Sequence, residues 1–164
     1  MITRKLLPIV LFFLHLVAFS QKTAIYSHQD AGFKTALELF QKQKYGSAQK
    51  QFLKIINQYN AQPNNLVHID AEYYSSICAL ELFNKDAELL LKKFVNDHPE
   101  SARVQSAYFQ LGKYNYRKKQ YNKAIEWFAK VDIYDLNNEE LSEFYFKRGY
   151  SYFENDSIEH AKKD

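Results

Sequence analysis

Glycine and proline are scarce in this chain, four and three among 164 residues. The turn chemistry that an all-β or α/β fold draws on is therefore largely missing, and helices are favoured before any pattern is considered. A single cysteine, Cys78, excludes an intramolecular disulfide and a zinc site built on several thiolates. It occupies a small-residue slot in a helical pattern, which fits buried packing better than reactivity. An excess of one charge is missing too. The formal net charge is +3, but Arg4 and Lys5 lie in a leader expected to be removed, which leaves twenty basic against nineteen acidic side chains. That balance gives no whole-molecule pull toward nucleic acid or an acidic membrane surface.

The motifs of common enzymes are lacking as well. No G-x-S-x-G, Gly-rich phosphate loop or H-E-x-x-H occurs. Ser47-Ala48-Gln49-Lys50 has the S-x-x-K spacing of penicillin-binding proteins without the companion motifs. His28, His68, His98 and His160 are scattered, with no i, i+4 pair to put two imidazoles on one helix face. Asp132 with Asp135 and Glu139 with Glu140 fall in a polar turn and at a helix start, where solvation and the helix dipole account for them. Arg117-Lys118-Lys119 beside Tyr114, Tyr116 and Tyr121 has the composition of a basic aromatic patch. The helical period instead assigns Tyr121 to the core and Lys118 and Lys119 to an exposed helix end. The expectation is a non-enzyme with no cofactor, no metal and no nucleic-acid partner.

What the chain does have begins at its N-terminus. Arg4 and Lys5 precede an apolar run from Leu6 to Phe19, and Ala18-Phe19-Ser20 places small residues before Gln21. This is the three-part pattern of a secretory signal, and the run is shorter than the ~20 residues that span a bilayer. Residues 1–20 are expected to be a cleaved signal peptide and 21–29 a short linker, giving an exported, periplasmic or secreted protein. Membrane anchoring through residues 6–19 is the alternative, and it is the only route to a membrane partner in this reading.

From residue 30 onward, apolar side chains recur every three to four residues in successive segments. Tyr121-Asn122-Lys123-Ala124 followed by Phe128 matches Tyr45-Gly46-Ser47-Ala48 followed by Phe52, and Asp86-Ala87 with Leu91 falls in the same phase. Ala48, Ala87, Ala124 and Ala161 mark four copies 39, 37 and 37 residues apart, and Gly112 and Gly149 are 37 apart as well. The alanines are small where a second helix must cross closely over a first. The thirteen tyrosines and thirteen phenylalanines are then needed between successive pairs. Helices are expected near 30–43, 45–59, 66–82, 85–97, 102–118, 121–132 and 139–154, with an eighth from about 157. Pro99 should end the fourth and Ser101 cap the fifth.

Tyr108, Leu111, Gly112, Tyr121, Ala124 and Phe128, with Ala87 and Pro99 in the preceding copy, resemble the tetratricopeptide repeat. The chain is also similar to the N-terminal part of long exported tetratricopeptide proteins of Bacteroidota. The resemblance implies an all-α superhelix of antiparallel helix pairs over 30–65, 66–101, 102–138 and 139–164, the last incomplete, so the natural protein is expected to be longer. It also implies a scaffold whose first helices line a concave groove that holds another protein or peptide, in an envelope-assembly complex. A membrane-anchored structural subunit and a regulatory module of a longer enzyme are the alternatives. Counted from the register, the groove should display Tyr73, Ser76, Phe109, Lys113, Tyr116, Arg117, Lys147, Tyr150 and Phe153. Phe33, Leu37, Tyr73, Ser106 and Gln110 stand where the chaperone-binding subset carries its carboxylate clamp, so that activity is not implied.

Overall fold

The computed structural model describes residues 31–155. Among them are seven α-helices and no strand: α1 (Ala31–Gln41), α2 (Tyr45–Gln58), α3 (Leu66–Glu81), α4 (Ala87–Asp97), α5 (Val104–Arg117), α6 (Tyr121–Phe128) and α7 (Asn138–Glu154). The fold is all-α, and each helix packs on the one that follows it. The expected leader and linker, the fourth alanine at Ala161 and the helix from about 157 lie outside the described residues. Among the described residues, no helix is long and apolar enough to cross a membrane.

Three buried clusters form the core, and each contains one of the recurring alanines. Ala48 sits with Ala36, Phe52, Ile55, Ala71 and Cys78, from α1, α2 and α3. Ala87 sits with Tyr73, Leu80, Leu91, Phe94, Ala107 and Leu111, from α3, α4 and α5. Ala124 sits with Phe109, Phe128 and Phe144, from α5, α6 and α7. Every cluster thus joins a helix, its successor and the helix after that. All three alanines are fully buried, as are Phe52, Leu91 and Phe128 one turn further on. One approach is close enough to require glycine: at Gly112 an added Cβ would lie 2.5 Å from two ring carbons of Phe128. Real Cβ atoms do not come that near, so only glycine lets α5 meet the Phe128 ring of α6 here.

The turns inside the pairs α1–α2, α3–α4 and α5–α6 share one geometry. Gln43, Phe83 and Lys119 have positive φ of 57°, 54° and 57°. At each, the residue's own N–H reaches back three residues, as Phe83 does to the Leu80 carbonyl at 3.2 Å. The next N–H reaches back five: Lys44 to Leu39 at 2.9 Å, Asn84 to Ala79 at 3.0 Å and Gln120 to Asn115 at 2.9 Å. This left-handed C-terminal turn normally uses glycine, and three non-glycine residues hold it here. None of the three was recognisable in the sequence for that reason.

The connections between pairs differ from one another. Asn65 closes the first by accepting the Val67 N–H at 2.9 Å. In the second, α5 begins at Val104, later than expected. Ser101 does not cap it; its Oγ accepts the Arg103 N–H at 3.2 Å inside the preceding turn. In the third, α6 stops at Phe128, four residues short of expectation, because a 3-10 turn over Ile133–Asp135 takes over, started by the Asp132 side chain. Asn137 and Glu140 then form a reciprocal capping box at the start of α7.

Candidate functional site

The nine residues expected on a common face separate into two groups. Tyr73, Ser76 and Phe109 are buried and are not displayed. Tyr73 lies between α3 and α5, and its Oη is 2.6 Å from Ser106 Oγ. Burial pushes the Tyr73 phenol up to about 12 against the opposing pull of that hydrogen bond. Ser76 donates its hydroxyl back to the Glu72 carbonyl at 2.8 Å. Phe109 is enclosed by Phe128 and Phe144, at ring centroid distances of 6.2 and 6.4 Å. These three positions take part in packing because the following helix covers them, which the register alone does not reveal.

Five of the other six come together where α5 meets α7. Glu143 of α7 bridges two of the cations, 2.7 Å from Lys113 Nζ and 3.6 Å from Lys147 Nζ. Lys113 stands 5.1 Å over the Phe109 ring and Lys147 4.5 Å over the Tyr116 ring. Tyr116, Tyr121 and Tyr150 form an edge-on triangle with centroids about 6 Å apart. Tyr121 is half-buried rather than a core residue, because its ring faces this triangle. Tyr150 in turn stacks on Phe146 and touches Phe153, each at 6.3 Å. Its phenol is raised by a hydrogen bond to Glu154, and burial raises that of Tyr116. Arg117 departs from the group. Its guanidinium pairs with Glu81 of α3 at 2.7 Å and lies 4.9 Å over Phe83.

Phe146 was missed. Its ring is 65% exposed and its spacing to Tyr150 and Phe153 puts all three on one stripe of α7. Its signal was in the sequence, since Phe146 stands 37 residues after Phe109. The same position is therefore fully buried in one copy and open in the next. What the arrangement offers chemically is an amphipathic surface: aromatic rings for apolar side chains, with ammonium groups held over them for carboxylates.

Two further features bear on chemistry. Cys78 is buried against α2, and burial pushes its thiol up to about 12, which keeps it protonated and unreactive. At the junction of α3 and α4, Glu72 accepts a hydrogen bond from His98 at 2.6 Å, and His68 Nε2 lies 3.5 Å from its other oxygen. Beside it, a cavity of about 780 Å³ is lined by Ile69, Asp70, His98, Pro99 and Arg103 among others. Among the described residues no cluster of His, Cys, Asp or Glu is arranged to hold a metal ion. Comparison with protein-family models, curated proteins and solved structures finds no match to this chain.

Proposed function

We propose that this protein is an exported scaffold of the tetratricopeptide type. Successive helix pairs wind into a superhelix, and its first helices, α1, α3, α5 and α7, present a concave face that holds another polypeptide. Three observations support the reading: the regular spacing of Ala48, Ala87 and Ala124, 39 and 37 residues apart, their shared burial, and the common turn inside each pair. Export rests on the leader pattern of residues 1–20.

The observation that carries the binding role is the partly open aromatic stripe of α7, Phe146–Tyr150–Phe153, set beside Tyr116 under Lys147. Rigid aromatic side chains next to a cation are the usual anchors of a protein interface. A photo-crosslinking side chain at position 150, introduced into the protein in the cells that make it, should give a discrete polypeptide adduct. The same group at position 134, where Tyr134 is exposed in an inter-pair turn, should not. Tyr150→Ala with Phe153→Ala should weaken capture of that partner by roughly tenfold or more while leaving helicity unchanged. Identical adducts at both positions, or none at 150, would reject the role.

A further inference from the structure

The near-neutral balance of the chain hides a separation of charge that only the fold reveals. Arg117 links the end of α5 to the end of α3 through Glu81 and Phe83, so the turns inside the pairs lie along one edge. Asn155, which follows α7, lines a small cavity with Lys119 and Lys123 at the same edge. The segments there, 42–44, 81–86, 117–123 and 153–155, carry seven basic side chains against three acidic ones.

The connections between pairs lie at the opposite edge, where Arg103 joins Asp70 at 2.9 Å and Gln105 accepts the Asp132 N–H at 2.8 Å. The segments 59–70, 97–103 and 129–140 hold seven acidic against two basic side chains. A helix the length of α3 separates the two edges by about 24 Å. That is roughly three Debye lengths at physiological salt, so a surface approaching the basic edge does not feel the acidic one.

The basic edge also exposes apolar side chains. Leu82 and Phe83, at the apex of the α3–α4 turn, are 42% and 55% exposed. Phe83 holds a left-handed backbone conformation that a bulky residue adopts only at a cost. The equivalent apices carry Gln43 and Lys119, so the turn itself makes no demand for an aromatic. A lysine at a helix C-terminus complements the dipole there. Phe83 leans on Tyr114, with ring centroids 6.0 Å apart, and lies under Arg117, yet more than half of it stays open, as does much of Leu82, between Lys42 and Lys44 on one side and Lys118 and Lys119 on the other. Among the described residues, Lys44, Lys85, Lys119 and Lys123 have no carboxylate within ion-pair reach.

We propose that this edge docks on an anionic lipid bilayer, with the lysines at the headgroups and Leu82 and Phe83 entering the interface. Basic charge combined with inserted apolar groups is what holds a peripheral protein on such a surface. The shape of the edge favours a membrane over an acidic polypeptide. Among the described residues, neither Leu82 nor Phe83 lines the cavities of about 780, 260 and 390 Å³. A protruding apolar apex suits a deformable surface that needs no matching concavity. This surface adjoins the α7 stripe at Tyr121 and Phe153, but the proposal does not depend on the scaffold reading.

Flotation of the full chain with phosphatidylcholine vesicles, with and without phosphatidylglycerol, tests it. Arg4, Lys5 and the apolar residues 6–19 are common to every variant, so the readout is the change in anionic preference from the parent to each variant. The parent should partition at least about tenfold more strongly into anionic vesicles at low salt and lose that preference at high salt. Lys118→Glu with Lys119→Glu should cut the preference several-fold. Phe83→Ser should weaken anionic binding several-fold with the circular dichroism spectrum unchanged. Equal partition of the parent into both vesicle types would overturn the proposal, and so would an unchanged preference in the double charge reversal. Binding of soluble polyglutamate without discrimination between vesicles would also overturn it and assign the edge to an acidic polypeptide.

Discussion

Contacts inside the helix pairs and contacts between them are built on different rules. Inside a pair, the same solution appears three times. A fully buried alanine opens the second helix, a fully buried large side chain follows one turn later, and a left-handed residue closes the turn with the same two hydrogen bonds. Between pairs one buried position recurs, at Ala71, Ala107 and Phe144, but the ring and ionic contacts do not repeat. Phe33, Phe40, Phe52 and Tyr74 form a knot of rings where α1 and α2 meet α3. Asp70 and Arg103, with Arg103 also over Tyr73 and Tyr74, join α3 to α5. Lys113 and Glu143 with Phe109 and Phe144 join α5 to α7. The pair is the unit that steric constraint fixes. The joints between units are free to use whatever aromatic or ionic contact closes them, which also explains why the connecting loops differ in length and capping.

The largest effect that would break this contrast lies inside a pair. Gly112→Ala should lower stability by ~1–3 kcal/mol, because the new methyl must displace the Phe128 ring from a fully buried position. Urea denaturation measures it, and a neutral result would mean that α5 and α6 do not cross this closely. A smaller effect of opposite sign sharpens the contrast. Gln43→Gly, Phe83→Gly and Lys119→Gly should each raise stability by about 0.5–1 kcal/mol, because glycine relieves the left-handed strain at no steric cost. Similar gains at all three would identify one shared turn; losses at any of them would show that its side chain contributes contacts that outweigh the strain.

The same contrast explains what the sequence made legible. Features inside the pairs are carried by residue type. Alanine at 48, 87 and 124 and glycine at 112 are small for a steric reason, and small residues at a fixed interval can be read directly. The helix positions followed to within a few residues, apart from the early end of α6 and the late start of α5, where turns replace the expected helix ends. The left-handed turns were invisible because their signature residue, glycine, is absent from all three. The candidate site was legible only in part. Lys113, Tyr116, Lys147, Tyr150 and Phe153 converge through a helix-to-helix contact of the kind that repeats poorly. Tyr73, Ser76 and Phe109 share their register but are covered by whichever helix comes next. Whether a register position ends up open or closed depends on its neighbour, and the neighbour is what varies. The charge separation was hidden for a related reason. Basic and acidic residues alternate along the chain at intervals of about one helix, and they sort into two edges only when the helices run antiparallel.

The claim on which the account rests is that Ala48, Ala87 and Ala124 do the same work in three successive units. Ala48→Leu, Ala87→Leu and Ala124→Leu, each measured by urea denaturation, test it most directly. The account predicts a loss of ~1–3 kcal/mol for each, alike within about 1 kcal/mol, because every one forces the same helix crossing apart. If one of the three is accepted without loss, the three crossings are not equivalent and the repeating-pair account is contradicted.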